Sequence, residues 1–295
     1  MNIEKWLRKN TACLKGKKIA VTGSTGGLGR ELCSYLGSLG AELILLDRNK
    51  ERSEQHRDAL KTRFGIDVKC INVDLECIES VRAATEALRR EEVDIFIHNA
   101  GAYSIPRHKT ATGYDNVYQI NFASPYYMIR SLLPELRKRK GRVVAVGSIA
   151  HNYSKTDPLD IDFSTRRRSS LVYGNAKRHL MFSLFELFKD EKEVSLSIVH
   201  PGITFTNITA HYPKLVFAVI KHPMKVIFMK PRKAVLSILN GVFESTAYCE
   251  WIGPSVFDVW GYPKKRSLKT VDSSERTEIG RIAEEVYEDQ KYVKN

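Results

Sequence analysis

Lys18-Ile19-Ala20-Val21-Thr22-Gly23-Ser24-Thr25-Gly26-Gly27-Leu28-Gly29 sets an apolar run directly against a glycine-rich turn, and a helical pattern starts at Leu28. Ile19, Ala20 and Val21 are apolar in succession rather than in alternation, as in a strand covered on both faces. Glycines at 23, 27 and 29 let the backbone turn sharply and approach an anion, whose charge then meets the free N–H groups of a helix N-terminus. A glycine-rich turn alone is weak evidence, but a strand before it and a helix after it, at the first βα junction, make it a pyrophosphate cradle. Gly23, Ser24, Gly27, Leu28 and Gly29 are its candidate contacts.

Outward from this turn the same rhythm repeats. Strands are predicted at 18–22, 42–46, 68–73, 94–98, 142–147 and 194–200, and helices at 28–39, 50–64, 78–90, 113–138, 171–189 and 233–244, the last followed by a glycine- and proline-marked segment through Pro263. Each strand is rich in Val, Ile or Leu at successive positions, so the fold class is α/β, a Rossmann-like doubly wound parallel sheet with helices on both faces. Asp47 closes the second strand 18 residues after Gly29, near the spacing at which an acid meets the adenosine ribose. It favours NAD, whereas Arg48 beside it suits the 2′-phosphate of NADP, the alternative cofactor. Asp74 with Leu75, and Asn99-Ala100-Gly101, end the third and fourth strands at the edge where such a sheet holds its ligand. Asn99 suits pinning neighbouring strands at least as well as touching a cofactor.

Ser148 ends the fifth strand, and Tyr173 and Lys177 lie one turn apart at the start of the following helix. A free phenol titrates near about 10, too high for a base at neutral pH, and a nearby ammonium draws it down. Tyr173 is therefore the candidate acid/base, Lys177 its partner and ribose anchor, and Ser148 the donor to a substrate oxygen. The spacing alone is a poor signal, since Tyr287 and Lys291 repeat it in a polar segment read as surface.

Composition bounds the partners. A net charge of +13 suits nucleic acid, an anionic membrane or an acidic ligand, but the basic runs 137–140, 166–168 and 264–266 are far apart and lack interleaved aromatics, so no specific nucleic acid is expected. Five cysteines without a CxxC pair, with Cys33 inside a predicted helix, read as a reduced cytoplasmic chain without structural zinc or other metal. No apolar run is long enough to span a bilayer. The apolar stretch Leu215 to Met229, interrupted by Lys221, His222, Pro223 and Lys225, reads as a substrate lid, or else as a membrane-facing patch giving peripheral contact. The expected division is an extension at 1–16, the sheet domain at 17–263 with its lid at about 204–232, and a polar tail at 264–295 with one helix near 275–287.

In order, the Thr-Gly-x-x-x-Gly-x-Gly turn at 22–29, Asp74, Asn99-Ala100-Gly101, Asn121, Ser148, Tyr173 with Lys177, and Pro201-Gly202 with Thr206 resemble the short-chain dehydrogenase/reductase family from Lys17 to about Pro263. The resemblance implies that Asn121 helps a proton relay through Lys177 and water, and that the backbone after Pro201, with Thr206, holds the nicotinamide carboxamide. It also implies a homodimer or tetramer formed through the helices carrying Asn121 and Tyr173. Ser148 and Tyr173 stand 25 residues apart, so the loop between them carries an insertion, and its His151 and Asp160-Ile161-Asp162-Phe163 resemble the retinol dehydrogenase-like branch. That branch favours NADP and lacks an acid where Asp47 stands. Ala176 replaces a serine often found before the lysine.

The reading is an NAD(P)-dependent oxidoreductase that interconverts an alcohol and a carbonyl on a hydrophobic substrate. Tyr103, Ile105, Tyr153 and the 215–229 stretch supply the apolar character. The alternatives are an idle nucleotide-binding scaffold, or a role carried by the basic surface.

Overall fold

The computed structural model describes residues 2–203, 229–268 and 271–292. One eight-stranded sheet runs through it in the order β3-β2-β1-β4-β5-β6-β7-β8. Its strands are β1 (Lys18–Thr22), β2 (Glu42–Asp47), β3 (Val68–Asn72), β4 (Ile95–His98), β5 (Arg142–Val146), β6 (Ser195–Val199), β7 (Glu250–Val256) and β8 (Trp260–Ser267). Neighbours pair in parallel from β3 to β7, and only β8 is antiparallel. The sequence reverses direction in space between β1 and β4, the crevice where such sheets bind ligands at the carboxyl ends of their strands.

The helices are α1 (Ile3–Asn10), α2 (Gly27–Ser38), α3 (Lys50–Phe64), α4 (Ile78–Arg89), α5 (Asn116–Tyr118), α6 (Ser124–Lys138), α7 (Ser169–Leu187), α8 (Pro231–Ala234), α9 (Leu236–Phe243) and α10 (Ser273–Tyr292). They cover both faces, so residues alternating along one strand feed two cores: Ala20, Ile44 and Phe96 pack on one side, Ile19, Val21 and Leu45 on the other. Each such aliphatic side chain contributes about 1.5–3 kcal/mol by leaving water, which is why the strands read as continuous apolar runs. Trp6 of α1 is buried in the second core, tying the first residues to the sheet.

Four local differences from the sequence reading have physical causes. The expected helix 113–138 is broken, because a π-helical turn at Gln119–Ala123 separates α5 from α6. The glycine- and proline-marked segment before Pro263 is the β7–β8 hairpin, with Pro254 opposite Pro263; a proline withholds one ladder hydrogen bond, which the edge of a sheet tolerates. The helix expected at 233–244 is two pieces, α8 and α9. Lastly, the polar segment after 263 is integral to the fold. β8 crosses that boundary, and α10 buries Ile279, Ile282, Ala283, Val286 and Gln290 against the core of α6 and α7. Tyr287 is not a free surface residue: it stacks on Tyr127 at 5.5 Å, with the Arg130 guanidinium 4.0 Å from its centroid.

Pairing through the helices that carry Asn121 and Tyr173 therefore meets α10 lying across them. Among the described residues no helix is long and apolar enough to cross a membrane. Most of the expected lid lies outside the described residues, as does Thr206.

Candidate active site

The turn after β1 is built for close approach. Gly23 takes φ +68°, and a Cβ on Gly29 would lie 2.1 Å from the Gly23 carbonyl oxygen, so no side chain fits at either place. Gly26 caps α2 with no side-chain acceptor, so the first turn of the helix has no side-chain cap. This cradle suits a dinucleotide pyrophosphate.

Asp47, the candidate ribose acceptor, has its carboxylate engaged within the turn. Its carboxylate is buried and turned back into the turn, where Oδ1 accepts from the Thr25 N–H and hydroxyl, each at 2.9 Å, and Oδ2 accepts from Ser24 at 2.5 Å and Ser53 at 3.1 Å. A buried carboxylate takes every donor in reach, and three hydroxyls crowd this one. Ser24 is correspondingly a brace within the turn. Arg48 is exposed, and Asn72 holds the carbonyls of Asp47 and Arg48 at 3.0 and 2.9 Å.

Asp74 is partly exposed, and its Oδ1 accepts from the Glu76 N–H at 3.1 Å. Leu75 is buried and its carbonyl accepts from Ser124 at 2.6 Å. Asn99 donates to the carbonyls of Thr22 and Gly23 at 3.1 and 3.2 Å, so it pins the turn to β4. Ala100 packs against Gly23, where an added Cβ would come within 3.0 Å of its Cα. Gly101 lies at the meeting of Asn121 and Lys177: a Cβ there would sit 2.8 Å from Asn121 Oδ1 and 3.7 Å from Lys177 Nζ.

Ser148, Tyr173 and Lys177 line one cavity of about 380 Å³ with Leu28, Asn99 and Gly202. Ser148 Oγ accepts from the Ala150 N–H at 3.2 Å, which fixes the hydroxyl at the strand end. Burial pushes the Tyr173 phenol up to about 12, while a hydrogen bond with Ser148 pulls the other way. Burial alone lowers the Lys177 ammonium to about 7. Lys177 donates to the Val146 carbonyl at 2.9 Å, and its Nζ lies 5.9 Å from the Tyr173 ring centroid. In the protein by itself the ammonium therefore does not draw the phenol down; burial dominates both groups, and Tyr173 holds its proton at neutral pH.

Asn121 sits in the π-helical turn, fully buried, donating to the carbonyls of Ala102 and Val117 at 2.8 Å each. Its side chain clamps the segment after Gly101. Pro201 is buried, and Gly202 takes φ +77° with its Cβ direction blocked at 2.7 Å by the Val259 carbonyl oxygen.

Two groups escaped the sequence reading. His200 lines the cavity, stacked on Trp251 at 4.9 Å and 6°, its pKa lowered to about 3 chiefly by burial; as the end of an apolar strand it looked like mere continuation. Arg178 follows Lys177 and is fully buried, meeting Glu275 of α10. A charge on an apolar helix face was its only signal, and its partner stands 97 residues away.

A family model described as short chain dehydrogenase matches residues 17–157. Retinol dehydrogenase 14 of Mus musculus is 28% identical over 214 residues, covering 67% of this chain and 64% of its own length, so the chain spans under two thirds of that relative. A crystal structure of an uncharacterized protein from Mycobacterium paratuberculosis has a TM-score of 0.74 at 21% identity, covering 95% of this chain and 96% of that one. A short-chain dehydrogenase from Sphingobium yanoikuyae, solved in complex with NADPH, has a TM-score of 0.59 at 19% identity and covers 91% of this chain and 93% of its own. The solved structures share the fold, and the family-model match runs from β1 past Ser148, so the chain is similar to short-chain dehydrogenases, with retinol dehydrogenases 14 and 13 among its relatives.

Proposed function

We propose that the chain is a nicotinamide-dependent oxidoreductase that interconverts an alcohol and a carbonyl on an apolar small molecule. The observation that carries this is the convergence of Ser148, Tyr173 and Lys177 on one cavity beside the glycine turn. A bound nicotinamide supplies the hydride for the carbonyl carbon, or takes it back in the reverse direction. Ser148 donates to the substrate oxygen and orients it. Tyr173, protonated at neutral pH, delivers its phenolic proton to that oxygen as the alcohol forms. Lys177, with Asn121 behind it, relays a proton from water back to Tyr173, and Lys177 also holds the ribose.

Gly23, Gly27, Leu28 and Gly29 hold the pyrophosphate, Asp74 and Leu75 border the adenine, and Pro201 and Gly202 border the nicotinamide. The cradle suits NAD or NADP, since Asp47 is engaged within the turn while Arg48 beside it is exposed.

Tyr103 packs edge-on against Tyr173 at 5.2 Å, and Tyr153 and Ile203 line the cavity, which suits a substrate of steroid, retinoid or lipid type. Five unpaired cysteines accord with a cytoplasmic setting. Peripheral membrane contact is supported at the hairpin tip, where Phe257 is 80% exposed near Gly202. The test is turnover of a panel of apolar ketones and alcohols with NADH, NADPH and their oxidised forms. Tyr173→Phe is expected to lower kcat by at least about a hundredfold while dinucleotide binding persists; full activity in that variant would refute the assignment.

A further inference from the structure

The buried Arg178 guanidinium, carried on α7, joins two other parts of the chain. Its Nε and Nη2 donate to the two carboxylate oxygens of Glu275 on α10, each at 2.7 Å, and its Nη1 donates to the His151 carbonyl at 2.8 Å. Glu275 Oε1 also accepts from the Thr156 N–H at 2.7 Å. The segment from Ser148 to Thr156 is thereby fixed at both ends. At its start, His151 donates from Nδ1 to the Ser148 carbonyl at 2.6 Å; at its far end, Thr156 hangs from Glu275. Between them the segment rests on α7 at Gly174, the residue after Tyr173, where a Cβ would come within 2.5 Å of the Ala150 carbonyl oxygen.

Such a linkage is a costly way to obtain stability alone. Desolvating both charges offsets most of their attraction, and apolar side chains of similar volume commonly serve folding as well or better. What they cannot do is accept from a backbone N–H and donate to a backbone carbonyl in fixed directions, as this pair does. The carboxylate is well matched to that task. Burial acts to raise its pKa, but the hydrogen bonds from Arg178 and from Thr156 outweigh it, so Glu275 stays charged at neutral pH.

We propose that Glu275 is a positioning residue of the reaction: from the C-terminal helix, through Arg178 and the Thr156 amide, it holds the Ser148–Thr156 segment so that the Ser148 hydroxyl meets Tyr173. The proposal rests on the oxidoreductase reading for its chemistry, while its structural half is measurable without turnover. Glu275 does not line the cavity, and it reaches the Ser148–Thr156 segment through Arg178 and the Thr156 amide.

The experiment compares wild type, Glu275→Gln, and the double variant Arg178→Met with Glu275→Leu, using the full chain. Three quantities are read: hydrogen exchange of residues 149–158, NADPH affinity by fluorescence titration, and kcat and KM on whichever ketone wild type reduces. In Glu275→Gln, exchange at 149–158 is expected to rise at least tenfold, kcat to fall about tenfold or more through misorientation, and NADPH affinity to stay within twofold. In the double variant the melting temperature should recover while loop exchange and kcat do not. A double variant that regains kcat together with its melting temperature overturns the proposal by making the pair merely structural, and so does Glu275→Gln with wild-type exchange and wild-type kcat. If wild type reduces no ketone, the oxidoreductase reading falls by itself, and unchanged loop exchange in the variants would still overturn the proposed linkage.

Discussion

Four donors around one carboxylate make Asp47 a brace for the glycine turn, and this decides what its removal should do. Asp47→Asn is expected to weaken NAD and NADP alike, by about tenfold each, because it loosens the shared cradle. Isothermal titration with both dinucleotides checks this, and a gain for NADP alone would return Asp47 to ribose recognition. Lys177 carries a pH signature. Its pKa of about 7 lies below the ordinary value of 10.5, so between those values the unfolded chain binds a proton that the folded one does not, and stability rises with pH. Below pH 7 the full cost of the buried ammonium persists, on the order of a few kcal/mol. Lys177→Met should therefore melt higher than wild type at pH 6.5, with the gap closing toward pH 9.5; a constant gap in calorimetry would contradict it. At this scale Ser148, Tyr173 and Lys177 were legible because their spacing and strand-end placement survive in one dimension. The direction of Asp47 was not, since it depends on how the hydroxyls of Ser24, Thr25 and Ser53 turn in space.

Among the elements, the parallel strands could be read to within a residue or two because burial on both faces forces a continuous apolar run; β1 has the expected bounds, Lys18–Thr22. The β7–β8 hairpin was lost because Gly253, Pro254, Gly261 and Pro263 speak for a loop, and only the edge position lets them be strand. Its turn is unusual. Phe257 and Asp258 both take positive φ, 50° and 56°, where Asn or Gly is the common choice, and Phe257 is held outward. Because β7 is parallel to β6, that tip stands at the carboxyl edge of the sheet, beside Gly202 and the cavity mouth, with exposed Lys264 and Lys265 on the returning strand. Phe257→Ser is expected to reduce co-sedimentation with vesicles of mixed zwitterionic and anionic phospholipid by about tenfold, from the lost burial of one aromatic side chain. Equal retention of variant and wild type would remove the tip from any membrane role.

For the whole molecule, α10 has taken the outer face of α6 and α7. Tyr287 on Tyr127, the Arg130–Glu284 pair at 2.6 Å and Gln290 against Gln119 at 2.5 Å already fill that side. Sedimentation equilibrium at micromolar concentration is expected to give a monomer, and a dimer cross-linked through α6 or α7 would overturn that expectation. The face was hidden from the sequence because polar residues dominate 264–292 in one dimension, while Ile279, Ile282, Ala283 and Val286 line a single stripe only once the helix forms. The Glu275 linkage also sets an order of events in synthesis. Tyr173 and Lys177 leave the ribosome roughly a hundred residues before Glu275 does, and the glycine turn roughly 250 before it, so the nascent chain can close its nucleotide cradle well before its reaction loop is anchored. A half-made chain would thus be able to hold a dinucleotide while still being a poor catalyst.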